Sequence, residues 1–266
     1  MASFDIIEAS GKGYRLVWIE RGYLARLAFV PVLVKLICYT VAVVMGWEAQ
    51  FIRFSLAMLP SYLADGWMLA HLVRLIFLGQ RWPFRPGPDP EEDAFNLAER
   101  ALGVSRGLGV FALTRLLLAG VVSYGYEKLS APYLAHPQEP PPAQFVLLAP
   151  VLLLATVWGF RLIWLHIPAA LNYSLRAFMR DIRGFATSFS MIAVWLVSML
   201  PPILFYIFLM SLLMSPVRDA AHLPALAEFT LNIVHVVLDT VITLIATASI
   251  SYGMIQMIGR AAARKA

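Results

Sequence analysis

The sequence predicts an all-α, polytopic membrane protein: six transmembrane helices in three repeated hairpins, each preceded by an interfacial amphipathic helix. Three observations predict it. The chain of 266 residues is 60% hydrophobic and only 14% charged, with mean hydropathy +0.74, whereas a soluble domain carries about 25% charged residues. Six apolar stretches are long enough to cross roughly 30 Å of hydrocarbon at about 1.5 Å per residue. Arg-Gly followed by a bulky apolar residue opens three of the hairpins: Arg21-Gly22-Tyr23, Arg106-Gly107-Leu108 and Arg183-Gly184-Phe185. Arg74-Leu75-Ile76-Phe77-Leu78 lies 53 residues after Arg21, and Arg161-Leu162-Ile163-Trp164-Leu165 lies 55 residues after Arg106. This spacing makes one helix pair the repeat unit. A single membrane domain is expected over 1–266, with units at about 4–80, 89–166 and 168–260.

The elements follow in order. Met1 to Glu20 contains Asp5, Glu8, Lys12 and Arg15, not a basic start with a short apolar run and a cleavage site. No removable signal peptide is expected, and the first stretch, Leu24–Met45, serves as a signal anchor. Tyr14, Leu16, Val17 and Ile19 form an apolar face before it. The second stretch, Phe51–Leu78, is overlong and must tilt or project. Asp89 suits a helix cap and Pro90 the first helical position, and Glu91, Glu92 and Asp93 favour the positive end of the helix dipole. Phe95, Leu97, Ala98, Ala101 and Leu102 supply that helix's apolar face. The third stretch, Leu108–Tyr124, is interrupted by Arg115, and the fourth is Phe145–Leu165. Between them Ser130–Gln144 holds five prolines and should be extended. Leu171, Leu175, Phe178, Met179 and Ile182 form a third amphipathic face before the fifth stretch, Phe189–Met210. A short loop, Ser215–Glu228, leads to the sixth, Phe229–Met257. The amphipathic segments are expected along the inner membrane surface, with Gly22, Gly107 and Gly184 letting the chain turn into the bilayer.

The basic residues report orientation. Fifteen Lys and Arg residues fall in the N-terminal segment, the second and fourth connections and the C-terminus, against only Arg53, Lys128 and Arg218 on the other side. The positive-inside rule puts both termini in the cytoplasm, as an even number of crossings requires. The net charge of +5 is then a topology signal, attractive to anionic headgroups, and not a nucleic-acid footprint. Cys38 is the only cysteine, so neither an intrachain disulfide nor a cysteine metal site can form.

Ionisable groups inside the stretches are the candidate functional residues, because a charge at a helix centre costs about 2.5–3.5 kcal/mol on insertion scales. Counted back from the turn between the first two stretches, Lys35 and Asp65 differ in depth by only about 3–6 Å, within reach of a lysine side chain. They read as an intramembrane ion pair. In the sixth stretch Asn232, His235, Asp239, Thr243 and Thr247 recur at spacings of three and four, so they share one face. That stripe either joins helices by hydrogen bonds or lines a hydrated path or binding site. Arg115 is a further intramembrane charge, able to pair with either aspartate or to snorkel. His71, Arg74 and His166 lie near the inner ends of their stretches without metal-ligand spacing, so no metal or cofactor is expected.

Asp65 stands in Ala-Asp-Gly and Asp239 in Leu-Asp-Thr, not in the Tyr-Asp and Gly-x-Gly-Asp contexts of intramembrane aspartyl proteases. No phosphate-binding glycine loop, nucleophile elbow or H-E-x-x-H is present, so no enzyme activity is expected. The segment from Arg161-Leu162-Ile163-Trp164 through Pro168-Ala169-Ala170 to Arg183-Gly184 resembles bacterial six-helix inner-membrane proteins of the YciC-like type. The resemblance covers about a third of the chain and implies a bacterial inner-membrane location without an activity. The leading expectation is a non-catalytic scaffold or accessory subunit that binds membrane lipids and other membrane proteins or a second copy. The alternative is a small-solute or ion transporter or channel using Asp65 and Asp239.

Overall fold

The Asp5 carboxylate accepts a hydrogen bond from the Glu8 amide (2.9 Å) and starts α1, Ile6–Ile19. The computed structural model describes residues 5–47, 50–84, 87, 89–125, 143–182, 184–214 and 225–263. The proline-rich connection up to residue 142, the loop at 215–224, Arg183, Arg264 and Lys265 lie outside the described residues. The described chain is helical, with no strand among those residues. After α1 come α2 (Arg21–Val44), α3 (Phe51–Ala57), α4 (Leu59–Leu78) and α5 (Pro90–Gly125). Then follow α6 (Ala143–Gly159), a 3-10 turn (Phe160–Trp164), α7 (His166–Ala170), α8 (Leu175–Asp181), α9 (Phe185–Met214) and α10 (Ala225–Ala263).

Small residues decide where α1 sits. Its buried face is Ala9, Ser10 and Gly13; of the apolar face expected along the membrane surface, Tyr14, Leu16 and Val17 are half-buried and Ile19 is exposed. A Cβ on Gly13 would stand 2.2 Å from Ser249 Oγ and 2.8 Å from Ser249 Cα, so the backbones of α1 and α10 nearly touch. Tyr14 donates to the Ser198 carbonyl of α9 (2.7 Å), and burial pushes its phenol above the usual range, keeping it protonated. The Asp5 amide donates to Gln256 Oε1 (2.9 Å), so α1 runs antiparallel to α10. It docks sideways against two helices, because apolar side chains gain little from one another in lipid while close backbone approach gains dispersion contacts.

The expected second stretch divides at Met58, just before Pro60, into α3 and α4. α4 is the central helix, buried from Met68 through Arg74 on every face. One core joins it to α2 and α10 through Leu24, Leu27, Met68, Leu72 and Leu244. A second joins it to α1, α7 and α9 through Ala9, Val73, Ile167, Ala170 and Val194. The expected turn at Gly107 does not occur. The acidic N-terminal segment and the third stretch form one 36-residue helix, α5. Gly107 serves close packing instead, since a Cβ there would lie 2.8 Å from Ala170 Cβ and 3.2 Å from Ala70 Cβ. Gly66 does the same from α4, where a Cβ would meet Leu108 Cα at 2.9 Å. The chain does bend at Gly184; before α2 the turn falls at Glu20, and Gly22 lies inside the helix.

Among the described residues five helices are long and apolar enough to cross a membrane: Arg21–Val44, Pro90–Val121, Leu153–Ala170, Phe185–Met214 and Phe229–Met257. The chain has the make-up of a membrane protein. α4 is not one of the five; it carries Asp65, His71 and Arg74 and is shielded by its neighbours. Outward faces such as Phe29, Val30 and Ile37 of α2 and Leu204, Phe205 and Phe208 of α9 are exposed and apolar.

Candidate intramembrane charge site

The buried stripe of α2 is Leu24, Leu27, Ala28, Pro31, Lys35, Cys38 and Ala42, which turns Lys35 inward. On α4 the inward stripe begins Ser61, Asp65, Met68 and Leu69. The two stripes face α10, and the charges meet. Lys35 Nζ lies 2.8 Å from Asp65 Oδ2, 2.8 Å from Asp239 Oδ2 and 3.4 Å from Thr240 Oγ1. Thr240 donates its own proton to the Val236 carbonyl (2.8 Å), leaving its oxygen free to accept. The three ammonium protons therefore have three acceptors. Lys35 and Asp65 are buried, while the Asp239 side chain is 48% exposed. Asp65 Oδ1 is buried without a hydrogen-bond partner among the described residues.

One lysine against two carboxylates leaves an excess negative charge. Arg115 of α5 brings a second cation to the site: it lines both neighbouring cavities with Asp239, and its guanidinium lies 5.2 Å from the Phe111 ring centre. The structure thus gathers Lys35, Asp65, Asp239 and Arg115, which the sequence distributes over four helices.

Two cavities flank the group. One, of about 160 Å³, is lined by Lys35, Tyr39, Ser61, Tyr62, Asp65, His235, Arg115 and Asp239. The other, of about 240 Å³, is lined by Phe111, Phe160, Trp164, His166, Trp195, Thr243, Thr247, Arg115 and Asp239. Both far exceed the roughly 10–15 Å³ that one water needs. Arg115 and Asp239 belong to both walls. The cavities succeed one another along α10, because His235 and Thr247 are about 18 Å apart on the helix axis. Four of the five stripe residues line them; Asn232, half-buried, is not among the lining residues.

His235 is held by Tyr206, whose hydroxyl lies 2.9 Å from Nδ1, and by the Tyr39 ring 5.5 Å away. Sequence reasoning missed Tyr39, Ser61 and Tyr62, although each lies three or four residues from Lys35 or Asp65 and so shares its helix face. The residues of α9, Tyr206 and Trp195, gave no such signal.

A second charged cluster closes the far end of α4. Arg74 is fully buried and donates to the Ala170 carbonyl (2.9 Å), Gln80 Oε1 (2.9 Å) and Glu99 Oε2 (3.2 Å). Asn172, in the left-handed region at φ 56°, donates to the Glu99 carbonyl (2.9 Å). These bonds fasten α4, α5 and the end of α7. His166 Nδ1 faces the Ile163 carbonyl at 3.1 Å, so that nitrogen carries the proton. Among the described residues no group of three or more His, Cys, Asp or Glu is placed to hold a metal ion. Neither protein-family models, nor curated proteins, nor solved structures match this chain.

Proposed function

We propose that the protein is a small-solute or ion transporter of a bacterial inner membrane, with the Lys35–Asp65–Asp239 group dividing its path. One observation carries the reading: the half-exposed Asp239 carboxylate and Arg115 form the shared wall of two cavities in series. A stripe used only to join helices would be packed away. Charged groups inside a membrane protein that face a cavity usually mark an ion or substrate pathway. In this reading α3–α4 counts as a sixth crossing, three hairpins repeat, and both termini face the cytoplasm. The fifteen-to-three division of basic residues supports that orientation, and the YciC-like resemblance supports the bacterial setting. The second reading, a non-catalytic scaffold or accessory subunit for membrane proteins and lipids, draws on the exposed apolar faces of α2 and α9.

Cysteine accessibility separates the two, because replacing Cys38 by Ala leaves a cysteine-free chain. Single cysteines are then placed at Tyr39, Thr243 and Thr247, with Phe205→Cys as the lipid-facing control. A charged, membrane-impermeant thiosulfonate is added to intact cells and to inside-out vesicles. Transport predicts labelling of Tyr39→Cys from the periplasmic side and of Thr243→Cys and Thr247→Cys from the cytoplasmic side, with Phe205→Cys silent. Absence of labelling at all three from both sides indicates a dry core and overturns the transport reading in favour of the subunit.

A further inference from the structure

The bend between α1 and α2 leaves a groove that shares no lining residue with the two cavities. Leu24, Ala28, Thr240 and Leu244 form its buried floor, and Phe29 and Val237 form exposed rims. It encloses about 380 Å³, and its one charged lining residue, Arg21, stands at the α1 end beside Val17. From Arg21 to Val32 the groove follows α2 for eleven residues, roughly 16 Å. Half of the hydrocarbon thickness is about 15 Å, so the groove has the length of one leaflet.

Arg21 is the first residue of α2, one of the helices long and apolar enough to cross a membrane, and a cation at such an end suits the headgroup level. Its guanidinium has five N–H groups; one donates to the Trp18 carbonyl (2.9 Å), and the group lies 4.8 Å from the Trp18 ring centre. Among the described residues it has no other hydrogen-bond acceptor and no carboxylate partner. Trp18 is exposed, as suits a side chain at the membrane–water boundary. An apolar channel one leaflet long, ending at an uncompensated guanidinium, complements an acyl chain that ends at a phosphate.

We propose that this groove binds one phospholipid of that leaflet, with an acyl chain along Leu24, Ala28 and Leu244 and the phosphate on Arg21. The assignment is independent of the transport reading: Arg21 and Ala25, the residues it tests, line neither cavity, although the floor residue Thr240 also accepts from Lys35. It is tested on the purified full-length chain in mild detergent by native mass spectrometry during titration with dioleoyl phosphatidylglycerol. The wild type is expected to retain one lipid per chain. Arg21→Gln removes charge-assisted hydrogen bonds and should weaken retention about tenfold or more. Ala25 lies on the exposed rim, so Ala25→Trp should fill the groove and abolish retention without lowering the lipid-free melting temperature. Arg176→Gln, an equal loss of charge at an exposed position of α8, should bind as the wild type does. Retention unchanged in both Arg21→Gln and Ala25→Trp, or no retained lipid in the wild type, overturns the proposal. So does displacement of the lipid by inorganic phosphate alone, which would make Arg21 a phosphate site with no role for the groove.

Discussion

Lys35 holds two carboxylates at once, and the structure ranks the consequences of removing each member. Lys35→Met preserves the side-chain length but leaves Asp65 buried and facing Asp239 without a cation between them. Breaking a buried pair in this way costs about 3–5 kcal/mol. Asp65→Asn is milder, because the ammonium keeps Asp239 and Thr240 at 2.8 and 3.4 Å. Loss of one charge-assisted hydrogen bond predicts about 1.5–3 kcal/mol. Asp239→Asn should cost least, about 1 kcal/mol or under, because its side chain is 48% exposed and its charge is screened. The double variant Lys35→Met/Asp65→Asn removes the lone buried carboxylate that makes Lys35→Met severe. It should therefore fall short of the summed single losses by about 0.5–3 kcal/mol. Unfolding in SDS–detergent mixtures measures all four. Additive losses, or an Asp239→Asn cost equal to that of Lys35→Met, would refute this account of the group.

Two further predictions concern packing. Gly11 and Gly13 are two residues apart in α1, yet substitution by alanine should have opposite effects. At Gly11 a Cβ meets nothing within 4 Å, so Gly11→Ala should stabilise by about 0.5–1 kcal/mol through helix propensity. At Gly13 it would strike the Ser249 backbone, so Gly13→Ala should cost about 1–3 kcal/mol; a shared rise in melting temperature would mean that α1 is not docked on α10. Arg74→Lys keeps the charge but loses the planar fork that reaches Ala170, Gln80 and Glu99 together. Melting should fall and hydrogen exchange at Leu171–Tyr173 should accelerate, and unchanged exchange there would show that Arg74 does not fasten the end of α7.

Much of the candidate site was legible from spacing along the chain. The depth of Lys35 and Asp65 follows from counting residues back to one turn, and the structure puts them 2.8 Å apart. The stripe from His235 to Thr247 follows from helical periodicity. What spacing does not give is the third partner: Asp239 lies 204 residues from Lys35, and nothing local marks their contact. Gly107 shows a different limit. A missing Cβ permits both a turn and a close helix crossing, so a glycine before an apolar stretch supports either reading, and Ala70 and Ala170 across the interface decide it.

Composition alone determined that lipid is the solvent for much of this chain, since 60% hydrophobic sequence with 14% charge exceeds what a soluble core absorbs. The spacing of His235, Asp239, Thr243 and Thr247 determined that they share one side of the sixth stretch, because residues three and four apart lie on one face of a helix. Only the tertiary structure decided which helices are neighbours, that α4 lies at the centre, that α1 leans on α9 and α10, and that one lysine serves two aspartates. The reason is the solvent itself. Acyl chains are as apolar as leucine, so hydrophobicity that drives a helix into the membrane does not select its partner there. Selection falls to close approaches such as Gly13 on Ser249 and Gly66 on Leu108, and to buried charges that must find one another across the bundle.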